Sequence, residues 1–534
     1  MNEILTHHAP HIGSNTREAD HTPPDATANG FRANVLNRLN LRRLTATALA
    51  IGSFAAANAS PAEAVSTPHH AGGLTVQSIE TTANLSEKMA PQPDITFSRH
   101  SPREPDTIVV NDKEQYQRVQ GFGAAITDSS AWLINGLSEK KRVSLMEDLF
   151  SRLGIHLNYV RIALGASDFT AQERPYSFDE QSDPDLRHFS IKHDEAYIIP
   201  VLRLMRLINP GTNIVASPWS PPGWLKTNGS MINLGNSGDS LLNNTSAPED
   251  MANYYAMAAK EYNQAGVYIN AITPQNEPTV ATSYPSMSFP ELDEQNFIPL
   301  LANALRQNGL DTDIYGNDSS FDQLNYASAL ATVYAAGNVM RGLAWHCYEG
   351  NIAAMNQLYT EFPNLNDVED ECSPEIRGLK TISELIASQR NGASAFILWN
   401  MALNSVGGPV QPPNQGCTGC NGVVTINNGR YYLGPKYYQL GQVSSLVYPG
   451  ARRIGSNNFV EYSTDPVKNF PTISQGIDDV AYKNKDGSIV VVVVNTGPSQ
   501  DVKVAWGNRS FDKDIPTGAT VTFAWKPKVN SWAR

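Results

Sequence analysis

Between residues 118 and 434 the chain repeats one pattern: a short apolar run, then a longer amphipathic segment, eight times over. The runs are "GFGAAI" (121–126), "LNYVRIAL" (157–164), "NIVASPWS" (213–220), "INAITPQ" (269–275), "TDIYGND" (312–318), "GLAWHCY" (342–348), "VEDEC" (368–372) and "ASAFILWN" (393–400). Short apolar runs of this length, set between amphipathic segments, read as buried strands. The segments between them carry helical spacing. In "LSEKKRVSLMEDLFSRLG", Val143, Met146, Leu149, Phe150 and Leu153 recur at three- and four-residue intervals, with Ser138 as a cap and Gly154 as a stop. Eight strand–helix alternations over about 300 residues predict an α/β fold, a TIM (β/α)8 barrel. An open doubly wound sheet fits less well, because no glycine-rich phosphate fingerprint follows the first run.

The texture changes after residue 435. "DDVAYKNKDGSIVVVVVNTGPSQDVKVAWGNRSF" and "GATVTFAWKPK" read as strands separated by Asp-Gly, Gly-Pro and Gly-Asn turns, an antiparallel sandwich. "DITFSRHSPREPDTIVVND" (94–112), ahead of the barrel, is also strand-like and is expected to join that sheet. The expected organisation is therefore a polar extension and signal at 1–64 and linking strands at 65–117. The barrel follows at 118–434 and a sandwich at 435–534, built from both chain ends. Within the first part, Arg38, Arg42 and Arg43 precede an apolar run from Leu44 to Ala57, followed by Ala57-Asn58-Ala59 and Ala62-Glu63-Ala64. That order is a secretory signal, too short for a membrane span. A secreted or periplasmic protein is expected, starting downstream of Met1 and maturing near Ser60 or Val65. A formal net charge of −12 argues against nucleic acid or an anionic membrane as the main partner.

Active sites of such barrels form where strands end at the C-terminal face. The second strand ends with Arg161 and leads to Asp168; the third ends at Trp219, with Trp224 following. The fourth ends at Asn276 and Glu277, the sixth at His346 and Tyr348, the seventh at Glu371, and the eighth at Trp399 and Asn400. Taken singly each has an ordinary reading: a loop glutamate, an acidic turn, a core histidine, packing tryptophans. Together they place two carboxyl groups and several aromatic faces on one rim, which suits glycoside hydrolysis. One acid protonates the leaving oxygen, and a second carboxylate attacks the anomeric carbon or activates water. Strands four and seven lie across the barrel from each other, so their glutamates can flank a substrate.

At these residues the sequence resembles glycoside hydrolase family 30, the group containing glucosylceramidases and β-1,6-glucanases. The likeness rests on "QGFGAAITDSSAWLI", "YVRIALGASDF", "ASPWSPPGWLKTNGSM", "TPQNEPT", "WHCY", "WNMALNSVGGP" and "YYLGPKYYQLGQVSSLVYPGARRIGS". It implies a barrel with a β-sandwich side domain and retaining double displacement on β-glucosyl linkages, of glucosylceramide type or in β-1,6-glucan. It implies Glu277 as general acid/base and Glu371 as nucleophile, with Asn276 holding the 2-hydroxyl. Arg161, Asp168, Trp219, His346, Tyr348 and Trp399 would line the sugar subsite, with Tyr284 of "SYPSM" contributing from the loop after Glu277. No cofactor and no metal are implied. One departure stands out: the family's apolar strand before the nucleophile is replaced by "NDVEDECSPE". Glu369 is thus a rival for Glu371, expected on the same strand face, and the added carboxylates are expected to raise the nucleophile's pKa.

Cys417 and Cys420 form a lone C-x-x-C, which in an exported chain reads as a loop disulfide rather than zinc. Cys347 and Cys372 follow His346 and Glu371, face outward on neighbouring strands, and are placed where a second disulfide is allowed but not required. Other readings remain open: a sugar-binding barrel without turnover, a relative acting on xylan or β-1,6-galactan, and a metal-dependent barrel enzyme.

Overall fold

The computed structural model describes residues 73–99, 107–171, 174–233, 239–335, 339–411, 419–457, 463–464, 471–472 and 476–527. The extension and export signal expected at 1–64 lie outside the described residues, as does Cys417.

Eight parallel strands close into a barrel: β1 (Gly121–Ala125), β2 (Tyr159–Ala163), β3 (Asn213–Ser217), β4 (Ala271–Ile272), β5 (Asp313–Ser320), β6 (Gly342–His346), β7 (Asn366–Glu371) and β8 (Ala393–Leu398). Each corresponds to one of the eight apolar runs. Closure pairs β8 with β1 and β4 with β5. Inside, Tyr159, Val215, Ala271, Tyr315, Ala344, Val368, Ala395 and Ile397 pack together, a filled core rather than a channel. Gly123 sets how closely β1 and β2 approach, since a Cβ there would meet the Tyr159 carbonyl oxygen at 1.6 Å.

A helix follows every strand, and the first connection shows how sequence pattern and observed ends differ. Its second helix runs Glu139–Phe150 with Val143, Met146, Leu149 and Phe150 buried as expected. Ser138 occupies the cap position without a side-chain hydrogen bond, and Leu153 lies beyond the helix end, 69% exposed. The 3.6-residue period thus continued in the sequence past the point where the backbone turned away.

Both chain ends build the sandwich, as expected from their strand-like texture. Thr75–Thr81 pairs with Thr520–Trp525, which pairs with Ile489–Asn495. Ile108–Arg118 belongs to two sheets at once: its start pairs parallel with Gln500–Trp506 and its later part antiparallel with Arg452–Gly455. Between the layers Val76, Ile108, Val491, Val493, Val504, Phe511, Phe523 and Trp525 are buried. Helix Pro435–Ser444 joins the two parts: Gln442 donates to Thr81 Oγ1 at 2.7 Å and accepts from Thr522 Oγ1 at 2.6 Å. Among the described residues no helix is long and apolar enough to cross a membrane.

Candidate active site

Three local departures from ideal strand geometry bring the reactive side chains together. The first is at Glu277, whose backbone is left-handed (φ +44°) immediately before Pro278. An L-residue there is strained by roughly 1–3 kcal/mol. The conformation is held by Glu277 N–H to the Asp318 carbonyl (2.9 Å) and by Val280 N–H to the Glu277 carbonyl (2.9 Å). The second is in β5, where pairing with β6 shifts between Gly316 and Ser319, and Asn317 and Asp318 are both left-handed (φ +76° and +44°). The third is between β6 and β7: Trp345 pairs with Glu369, but His346 pairs with Glu371.

Arg161, rising from β2 and fully buried, occupies the middle. Its Nη1 contacts Glu371 Oε2, its Nη2 donates to Asp318 Oδ1 (2.7 Å) and Asn276 Oδ1 (2.8 Å), and its Nε lies 3.1 Å from Asp370 Oδ2. Burial disfavours its charge, but the carboxylates of Asp318, Asp370 and Glu371 outweigh that and raise its pKa. His346 bridges to Asp318 Oδ1 through Nε2 (2.9 Å) and to Glu277 Oε1 through Nδ1 (3.2 Å). Tyr348 donates to Glu371 Oε1 at 2.8 Å. A carboxylate oxygen of Glu277 and one of Glu371 lie within 4.8 Å of each other.

Aromatic walls flank these acids. Trp219 and Trp399 stack with centroids 5.0 Å apart, and the Arg161 guanidinium lies 4.7 Å from the Trp219 ring centre. Tyr284 packs against this cluster from the loop after Glu277. Asp168 is buried, and among the described residues its Oδ1 has no hydrogen-bond partner; burial and the charges of Glu371 and Glu277 raise its pKa, opposed by a hydrogen bond from Trp399. The ten residues expected to act on the sugar or its bond therefore gather at one end of the barrel; the other two named at strand ends do not share these contacts. Trp224 instead donates to the Asp179 carbonyl (3.0 Å), and Asn400 accepts from Thr127 Oγ1 (2.6 Å).

Comparison with known proteins agrees with the barrel-and-sandwich architecture. Residues 119–447 match the Glycosyl hydrolase family 30 TIM-barrel domain, and residues 450–523 match the Glycosyl hydrolase family 30 beta sandwich domain. The chain belongs to glycoside hydrolase family 30. Among curated relatives, Endo-1,6-beta-D-glucanase neg1 of Aspergillus fumigatus is 31% identical over 401 residues, 71% of this chain and 79% of that protein. Lysosomal acid glucosylceramidase of Mus musculus is 27% identical over 454 residues, 78% and 83% of the two chains. Among solved structures, the endo-beta1,6-glucanase BT3312 superposes with a TM-score of 0.72 at 26% identity, covering 86% of this chain and all of that one. As a family 30 member this protein is a glycosidase acting on carbohydrate.

Two readings of the family 30 site change once side chains are placed. Glu369 does not share a face with Glu371. The register shift at the end of β7 breaks strict alternation, so Asp370 meets Arg161 and Glu371 still reaches the pocket. Glu369 turns outward to helix Thr381–Arg390, beside Glu384 and the Cys347–Cys372 disulfide. That disulfide, left optional by the sequence, ties the ends of β6 and β7 together; Cys420 is also disulfide-bonded. The expected rise in the Glu371 pKa is present, but its cause differs: burial first, then Glu277, opposed by His346, Arg161 and Tyr348. Sequence reasoning missed Asp318. Its signal was a polar "NDSS" ending a buried strand, and the fifth strand was the one beyond the first whose end had been assigned no role.

Several buried acids also set how stability depends on pH. Burial raises the carboxyls of Asp194, Glu294, Asp367 and Glu384 each to about 7. In the unfolded chain such groups ionise near 4. Between about pH 4 and 7 the folded state therefore holds protons that the unfolded state has lost, and stability falls as pH rises through this window. The melting temperature is expected to drop by several degrees from pH 5 to pH 8, with a shallower slope in Glu384→Gln. A melting temperature that climbs over that range contradicts the assignment.

Proposed function

We propose that this glycosidase is an exported, retaining enzyme that hydrolyses β-1,6-linked glucan, with Glu277 as acid/base and Glu371 as nucleophile. The observation that carries the reading is that one carboxyl oxygen of Glu277 lies within 4.8 Å of one of Glu371, which leaves little room for a water between them. Retaining glycosidases hold their carboxyl groups about 5–5.5 Å apart, whereas inverting ones leave roughly 6.5–9.5 Å for a water. Tyr348 and Arg161 each take one oxygen of Glu371, which fixes its aim at the anomeric carbon. Protonated Glu277 gives its proton to the glycosidic oxygen as Glu371 forms the glycosyl ester. Water then gives a proton to Glu277, its oxygen attacks the anomeric carbon, and the ester bond to Glu371 breaks with net retention.

The buried Asp168 carboxyl, whose Oδ1 meets no partner among the described residues, and the Trp219–Trp399 stack provide hydroxyl recognition and an apolar face for one sugar ring. The Asn276 carbonyl oxygen is bonded to Arg161, which leaves its amide nitrogen for the 2-hydroxyl. A glucan polymer is favoured over a glucosylceramide-type glucoside by the similarity to endo-1,6-β-glucanases, by sequence and by structure. Export is supported by the signal-like order of residues 38–64 and by disulfide-bonded cysteines in the barrel, which suit an oxidising compartment. The test is hydrolysis of β-1,6-glucan, β-1,3-glucan, glucosylceramide in mixed micelles and xylan, with the first-formed anomer followed by NMR. The expected result is turnover of β-1,6-glucan with the β-anomer appearing first. Turnover of xylan alone, or an α-anomer first, overturns the proposal.

A further inference from the structure

The β5 irregularity exists to deliver Asp318. Asn317 anchors it from both sides: its N–H donates to Glu294 Oε1 (3.0 Å) and its Nδ2 to the Ala344 carbonyl (2.9 Å). Extra residues of this kind redirect a strand's side chains and recur beside active sites. Here the fully buried Asp318 turns into the barrel centre. Its Oδ1 accepts from Arg161 Nη2 and His346 Nε2, its Oδ2 accepts from Thr273 Oγ1, and its carbonyl accepts from the Glu277 N–H. One residue thus touches both the backbone of Glu277 and the imidazole that bonds the Glu277 side chain.

We propose that Asp318 is a positioning residue for hydrolysis: it keeps His346 an imidazolium whose Nδ1–H donates to Glu277 Oε1, so that the acid's proton sits on Oε2. This rests on the assignment of Glu277 as acid/base. With Arg161 and Thr273 also donating to it, Asp318 stays ionised, so Nε2 of His346 carries a hydrogen. Were Nδ1 then bare, it would compete with the glycosidic oxygen for the Glu277 proton. A second hydrogen on Nδ1 removes that competition and stabilises the Glu277 carboxylate left by proton transfer. The groups facing His346 are Asp318 on β5, Glu277 beyond β4, Glu371 and Asp370 on β7, and Tyr348 edge-on from its own segment. Burial alone would favour neutral imidazole; the charge of Glu371, then the hydrogen bonds to Asp318 and Glu277 and the charge of Asp318, raise its pKa well above the usual value.

Two measurements test this. Nitrogen-15 spectra of the wild-type ring should show His346 doubly protonated at pH 7.5, about one unit above the ordinary histidine pKa; a neutral ring overturns the proposal even if every variant misfolds. In Asp318→Asn the same ring should become neutral at that pH. The kcat/KM for an alkyl β-glucoside should then fall on the order of 10²-fold, as for other disrupted proton transfers. For a dinitrophenyl β-glucoside, which leaves without protonation, the loss should stay under about tenfold. Equal losses on both substrates would mean a merely structural role through Arg161. Glu277→Gln is the control: if it cleaves the alkyl glucoside normally, the acid/base assignment itself fails. If it does not, equal losses in Asp318→Asn defeat only the inference about Asp318.

Discussion

Glu371→Gln is expected to lower kcat/KM on aryl β-glucosides by on the order of 10⁴-fold or more, because under the proposed double displacement no covalent intermediate can then form. The amide cannot attack, and it also gives Arg161 and Tyr348 a neutral partner in place of the carboxylate they contact. Glu277→Gln should cost about 10²–10⁴-fold on glucosides with poor leaving groups, the usual range for a lost general acid, and much less on dinitrophenyl glucosides. Glu369→Gln separates the two carboxylates that the sequence could not rank. Its side chain lies among Glu384 and the Cys347–Cys372 disulfide, outside the barrel, so activity should remain within about threefold of wild type, as for a residue that meets no substrate. Azide should restore turnover, as the glycosyl azide, to Glu371→Gly and not to a Glu369 variant. Wild-type rates in Glu371→Gln would end the assignment of the nucleophile.

Arg161→Met is expected to destabilise the fold by about 3–5 kcal/mol, the penalty for leaving buried charge without its partner. The number of carboxylates involved makes this site an extreme case. Asp318, Asp370 and Glu371 all approach the guanidinium, and each is buried. The pKa of Asp318 is held well below its usual value by Arg161 and His346 against the effect of burial, so it would lose its main counter-charge. Asp370 already leans toward protonation, from burial and the Asp318 charge, and would become neutral outright. Denaturant titration should show the lost stability, and kinetics a fall in kcat/KM of at least about 10³-fold from a misaimed Glu371. Arg161→Lys should rescue little, since one ammonium cannot meet Asp318, Asn276 and Glu371 in separate directions. An Arg161→Met enzyme as stable as wild type would show that the acids are paired some other way.

The sequence by itself determined the barrel and the ends of its strands. Eight apolar runs separated by helical spacing are a local pattern, and a strand buried on both faces has few other places to go. For the same reason Glu277, Glu371, Trp219 and Trp399 could be named: each stands in the last residues of such a run or just past it, and strand ends of this fold face one cleft. The tertiary structure alone decided which side of its strand each carboxyl took. Strict alternation puts Glu369 and Glu371 on one face, yet a register shift against β6 sends one to helix Thr381–Arg390 and the other to the pocket. Asp318 was hidden for a related reason, since its direction depends on two left-handed residues pinned by a helix and a neighbouring strand. A disulfide between Cys347 and Cys372 likewise needs two strand ends side by side, with Cα atoms 5.1 Å apart. Side-chain period is a property of one segment, whereas pairing register is a contract between two, and a shift of one residue inverts every face that follows it.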